Sequence, residues 1–183
     1  MHQFSKFLEA YGTGHDCQQV DPDRLEAHKG KLPDPLLEFW SDQGICGYLE
    51  GMFWFVDPDA FVDVLEEWGA ARYTSFARNG FGDIFLYSSD GVSVLSVHRG
   101  ALDSVTPDIE LFLNRLMTIT SVMDDMVFRK LHRAVTGKLG RPAPDECYGF
   151  VPALALGGPG TPETVQRMKL REHLSLLAQI HGH

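Results

Sequence analysis

The sequence predicts an α+β fold in which an antiparallel β-meander packs against N-terminal and C-terminal helices. Helical spacing of apolar residues dominates the first 70 positions, short β-favouring runs with tight turns fill residues 73–97, and helical spacing returns after Gly100. Of the 183 residues 44% are hydrophobic, enough for a core that needs neither metal nor disulfide. We therefore expect a compact single unit of two fused halves, residues 1–104 and 105–183, that share this core.

The first half begins with helices. Apolar residues between Phe4 and Tyr11 share one helical face, and Asp21-Pro22 places a capping carboxylate before a first-turn proline. Pro33 opens a further helix that ends at Gly44, and the aromatic run Tyr48–Val56 is typical of one or two strands. Asp57-Pro58 starts another helix in the same way as Asp21-Pro22. Its expected inward-facing residues are Phe61, Val62, Leu65 and Trp68.

Three short strands are expected next, at Tyr73–Ala77, Ile84–Tyr87 and Val92–Val97. Asp90-Gly91 is the strongest hairpin signal between them, and such tight turns predict an antiparallel meander. We place the boundary between the two halves in Gly100–Pro107, where no flexible linker is visible.

The second half is mainly helical. Thr106-Pro107 predicts one helix start, and a second helix is expected over Asp125–Leu139 with Asp124 as its cap. Two short strands and a last helix complete the chain, at Tyr148–Pro152, Met168–Leu170 and Glu172–Ile180.

The net charge of −9 is concentrated in one part of the sequence. Residues 32–71 contain no Lys or Arg, all three tryptophans, and nine acids: Asp34, Glu38, Asp42, Glu50, Asp57, Asp59, Asp63, Glu66 and Glu67. Phosphates repel such a segment, which argues against direct binding of nucleic acid. A basic protein partner is its natural complement, whereas the alternative is a solvated acidic face that only keeps the protein in solution.

Other functional classes find little support. No apolar run is long enough to span a membrane, and Met1–Lys6 does not resemble a secretory signal. Three cysteines without C-x-x-C spacing suggest reduced thiols in a cytoplasmic protein. The histidines are scattered, and neither a nucleophile elbow nor a phosphate loop is present, so we expect no catalysis, metal or cofactor. A small enzyme whose site is assembled from distant residues stays open as an alternative.

Several motifs resemble a known family. Gly30–Trp40 (GKLPDPLLEFW), Gly51–Pro58 (GMFWFVDP), Phe76-Ala77-Arg78 and Phe81–Tyr87 (FGDIFLY) are similar to the GAD-like domain of bacterial immunity proteins. Asp145–Gly158 and His173–Ile180 resemble the C-terminal domain that usually accompanies it. Leu32-Pro33-x-x-Leu36-x-x-Phe39 also resembles the wider Smi/Knr superfamily, which implies as an alternative a protein-binding or regulatory module with a non-nuclease partner.

The GAD-like resemblance implies an immunity protein encoded beside a DNase effector of the type VI secretion system. Such a protein binds the basic nuclease domain in the cytoplasm of the producing cell and blocks it, and we expect a monomer in a 1:1 complex. A cationic nuclease groove would attract acidic side chains and accept a buried ring as an anchor. The candidate contact residues are Glu50, Asp57, Asp59, Asp63, Glu66 and Glu67, with Trp54 as the aromatic anchor if it is exposed.

Overall fold

A seven-stranded antiparallel sheet forms the centre of the molecule, and its strands lie side by side in chain order. The computed structural model describes residues 4–183. The first three residues of Met1–Lys6, the segment that does not resemble a secretory signal, lie outside the described residues. The strands of this sheet are β1 (His15–Gln18), β2 (Ile45–Tyr48), β3 (Phe53–Phe55), β4 (Thr74–Asn79), β5 (Ile84–Ser88), β6 (Gly91–Ser96) and β7 (Ala101–Thr106). A second, two-stranded sheet pairs β8 (Glu146–Phe150) with β9 (Val165–Lys169).

The described residues form eight α-helices: α1 (Ser5–Tyr11), α2 (Pro22–Ala27), α3 (Asp34–Gln43), α4 (Val62–Glu67), α5 (Ile109–Asn114), α6 (Thr120–Met126), α7 (Arg129–Leu139) and α8 (Leu170–His181). Local chemistry explains several of their ends. The carboxylate of Asp21 accepts a hydrogen bond from the backbone N–H of Asp23 (2.8 Å) at the start of α2. Gly44, at φ 80°, ends α3 in a conformation that favours glycine.

Helices cover both faces of the central sheet. Alternation along β5 sends Phe85 and Tyr87 to one face, where α1, α3, α5 and α6 pack, and Ile84 and Leu86 to the other, where α4 and α8 pack. The first face is rich in aromatic rings, and the Phe85 ring centroid lies 5.1 Å from that of Phe112. Because α5, α6 and α8 come from the second half and complete the core of the first, the predicted α+β unit is confirmed.

The structure corrects several predicted elements. The expected helix 125–139 is two helices, divided where Phe128 adopts φ 51°, and Asp124 lies inside α6 and pairs with Arg129 (2.7 Å) instead of capping. Strands β1 and β7 were not predicted, and β7 occupies the segment expected to separate the halves. Asp108, not Thr106, caps α5 by accepting from the backbone N–H of Glu110 (2.8 Å).

The expectation of three reduced cysteines is wrong for two of them. Cys17 on β1 and Cys46 on β2 form a disulfide, while the thiol of Cys147 is free and buried. Strand β1 pairs with β2 so that His15 lies opposite Gly47 and Gln18 lies opposite Ile45, and this register brings Cys17 and Cys46 together. Within residues 4–183, no helix combines the length and apolarity needed to cross a bilayer.

Candidate partner-binding surface

The acidic segment 32–71 does not form one face of the folded protein. Asp34 and Glu38 lie on α3, which packs on the aromatic face of the sheet, whereas Asp63 and Glu66 lie on α4, which packs on the opposite face. Glu50 is exposed in the turn between β2 and β3, at the far end of β3 from Asp57. The sheet thus separates acids that belong to one segment of the sequence, so the expectation of a single anionic face is wrong.

The tryptophans are also unavailable for partner contact. Trp54 is 4% exposed, and Trp40 and Trp68 are equally buried. The Trp54 indole N–H donates to the carbonyl of Gly51 (3.0 Å), and the guanidinium of Arg78 lies 5.1 Å from its ring centroid. Trp54 is therefore a core residue, and the condition under which it would serve as an anchor is not met.

One coherent acidic surface remains around α4. Asp59, Val62, Asp63 and Glu66 are exposed and follow the spacing of a single helical face; we call them the α4 acidic stripe. Val62 was expected to point inward, but it is 52% exposed. Phe61, Leu65 and Trp68 are buried as expected, and Val64 takes the inward position that was expected for Val62. The stripe therefore presents three carboxylates around one aliphatic side chain.

Two arginines partly neutralise this region. Arg24 Nη2 lies 2.6 Å from Asp57 Oδ2 and 2.9 Å from Asp59 Oδ2, and its hydrogen bond holds the pKa of Asp59 below the usual range. Arg171 on α8 pairs with Asp63 in the same way. The sequence offered no signal for these pairs, because Arg24 and Arg171 lie far from the acidic segment in the chain.

The remaining candidate residues have structural contacts. Asp57 is half-buried and caps the following turn, since its Oδ1 accepts from the backbone N–H of Asp59 (3.1 Å). Glu67 is half-buried and accepts a hydrogen bond from the hydroxyl of Ser175 on α8 (2.7 Å). Among the predicted contact residues, Asp59, Asp63 and Glu66 are thus the ones that the fold brings together and leaves open to a partner.

A cavity of about 340 Å³ adjoins the stripe. Asp59, Val62 and Glu66 form part of its wall. His28 and Ser75 contribute buried polar atoms that have no hydrogen-bond partner in the described part of the chain. His28, Asp57 and Asp59 also lie close enough together to be candidate metal ligands. No local pattern indicated this arrangement, because His28 stands 29 positions before Asp57.

A second cavity, of about 720 Å³, holds two buried ionisable groups. Burial raises the pKa of Asp83 to about 6 and lowers the pKa of His98 to about 4, a combination that can mark an enzyme site. Here both groups bind the backbone: Asp83 Oδ1 accepts from the N–H of Val97 (2.8 Å), and His98 Nε2 lies 2.8 Å from the carbonyl oxygen of Phe81. No hydrogen bond joins His98 to Asp83 among the described residues. The geometry therefore favours a structural role for both groups, in which they stabilise the turn between β4 and β5, over a catalytic one.

Comparison with known proteins agrees with the two-part organisation. Residues 2–99 match the family model of the GAD-like domain, and residues 107–181 match the model described as T6SS immunity protein Tdi1, C-terminal. No curated protein sequence gave a significant match. The crystal structure of Atu4351 from Agrobacterium tumefaciens is similar, with a TM-score of 0.79 and 15% identity over 96% of this chain and 88% of that chain. At this identity the likeness establishes the fold only.

The two family matches confirm both parts of the resemblance that the motifs carried. The C-terminal match supports an immunity protein of the type VI secretion system, a class that implies a toxin partner and suggests a non-catalytic role. The chain belongs to the GAD-like domain family, and after that domain residues 107–181 match the family model of the C-terminal part of the T6SS immunity protein Tdi1.

Proposed function

We propose that this protein binds a cognate nuclease toxin of the type VI secretion system in the cytoplasm of the producing cell and neutralises it. The observation that carries this proposal is the match of residues 107–181 to the Tdi1 immunity domain. A nuclease binds phosphates and therefore presents cationic side chains, so an acidic immunity protein is electrostatically suited to it.

The α4 acidic stripe is our candidate for the contact. Glu66 attracts a cationic surface together with Asp59 and Asp63, whose charges Arg24 and Arg171 partly neutralise, and Val62 between them offers apolar area that an approaching partner can cover. No tryptophan takes part, so ion pairs contribute a larger share of the recognition than a buried ring would allow. We expect the association rate to fall steeply as salt rises.

The test compares two charge reversals of equal size. Asp63→Lys with Glu66→Lys alters the stripe, and Asp34→Lys with Glu38→Lys alters exposed positions of α3 on the opposite face of the sheet. We expect the first pair to lower the association rate constant for the neighbour-encoded toxin about tenfold or more at low salt, and the α3 pair to leave it nearly unchanged.

DNA cleavage by the toxin is measured in parallel. Failure of the wild-type protein to bind and inhibit the toxin would reject the proposed function. If the wild-type protein inhibits the toxin but both charge-reversal pairs change the association rate constant equally, the proposed function stands and the stripe is rejected as the contact. A different protein that co-purifies stoichiometrically would favour the Smi/Knr-like alternative.

A further inference from the structure

Three potential metal ligands meet where α2 ends against the turn before α4. His28, Asp57 and Asp59 each offer one donor atom, and these atoms all lie within 4.8 Å of one another. Imidazole nitrogen with carboxylate oxygen is a donor set that suits zinc and its neighbours among the divalent transition metals. We propose that these residues form a binding site for a zinc-class divalent ion, which shares Asp59 with the α4 acidic stripe.

The spacing of the donors is close to that required. His28 Nε2 lies 3.6 Å from Asp59 Oδ1. Two ligands of a tetrahedral ion with bonds of about 2.1 Å stand about 3.4 Å apart, so this pair needs only a small adjustment. The cap from Asp57 Oδ1 to the Asp59 N–H fixes the first carboxylate and leaves Asp57 Oδ2 as a donor.

His28 provides an independent observation that points to a ligand. The residue is 4% exposed, yet neither of its ring nitrogens has a hydrogen-bond partner among the residues that the structure describes. Buried polar atoms are almost always satisfied, so ring nitrogens left without a partner beside two carboxylates are available to coordinate an ion. The 340 Å³ cavity lined by His28 and Asp59 gives the ion a path from solvent.

Arg24 is the competitor for this site. Its Nη2 already lies between the Oδ2 atoms of Asp57 and Asp59, where a metal ion would sit. The side chain is 46% exposed and can therefore turn into solvent when an ion binds. Lys31 also faces Asp59 and disfavours any further cation, so we expect micromolar affinity instead of the tighter binding of a structural zinc site.

The experiment is calorimetric titration of the full oxidised chain with Zn²⁺, followed by the visible spectrum of bound Co²⁺. The variants are Arg24→Gln, which removes the competitor, and His28→Gln and Asp59→Asn, which remove ligands. Asp59 is exposed, so its variant remains informative even if the buried His28 variant fails to fold. His183→Gln, at an exposed terminal histidine, controls for adventitious surface binding.

We expect micromolar binding by the wild type and by His183→Gln, at least tenfold tighter binding by Arg24→Gln, and at least tenfold weaker binding by the ligand variants. No binding by wild type, unchanged binding by Asp59→Asn, or an Arg24→Gln protein that binds no tighter than wild type would overturn the site. Toxin inhibition is not the readout, so failure of this proposal and failure of the proposed function are distinguishable.

Discussion

Replacement of His173 by leucine should reduce the acid sensitivity of the protein. His173 lies on α8 and is 4% exposed, and from Phe4 to the C-terminus no residue forms a hydrogen bond with either of its ring nitrogens. Burial lowers the pKa of His173 to about 4, and the nearby ring of His98, 5.7 Å away between centroids, contributes to the same shift. Leucine fills the apolar site without a proton to bind, and no hydrogen bond is lost.

The magnitude follows from proton linkage. In the unfolded chain the histidine titrates at its ordinary value of 6.5, so the unfolded state takes up a proton well before the folded state does. The lowered pKa in the folded state therefore contributes stability that is present above pH 6.5 and is lost as the pH falls toward 4. At about 1.4 kcal/mol per pH unit, the loss from this residue between pH 7.5 and pH 5 is about 2 kcal/mol.

The assay is urea unfolding at pH 7.5 and pH 5, followed by tryptophan fluorescence. The fall in unfolding free energy between the two pH values should be about 2 kcal/mol smaller in His173→Leu than in wild type. His183→Leu removes an exposed imidazole and should behave as wild type. If His173→Leu loses as much stability as wild type between these pH values, the buried neutral histidine is not the cause of acid sensitivity.

Three further predictions concern stability. The Cys17–Cys46 disulfide joins cysteines 29 residues apart, and its reduction should lower the free energy of unfolding by about 3–4 kcal/mol. Urea titrations with and without reductant measure this difference. Detection of three free thiols in the protein before reduction would contradict the disulfide. Phe85→Ala should cost about 3–5 kcal/mol in the same assay, since its ring is fully buried in the aromatic face; a cost near zero would mean that this face is not packed as described. Gly91→Ala should lower the Tm, because the new Cβ would lie 2.3 Å from the Cα of Pro107 and Gly91 has φ 101°. Gly137→Ala, in open space on α7, should raise the Tm slightly. Equal effects of the two substitutions would refute the steric reasoning.

Local patterns were sufficient for most of the elements. The Asp57-Pro58 start was recognised because capping and proline geometry act within a few residues, although the turn it opens is 3-10 before α4 begins. The β5 strand was recognised because its apolar residues serve both faces. The edge strand β7 was not, since its exposed polar positions resemble a loop until β6 pairs with it.

The sequence by itself determined the family, the fold class, the acidic character and the local starts and turns, because these depend on residue types and on short spacings. Only the tertiary structure determined where the charged side chains lie on the folded protein. The central sheet places α3 and α4 on opposite faces, so acids from one segment of the sequence lie on opposite sides of the sheet. Arg24 and Arg171, from distant parts of the chain, pair with some of these acids. Burial of the indoles and the Cys17–Cys46 pairing have the same origin, because packing and strand register join residues that no local pattern connects.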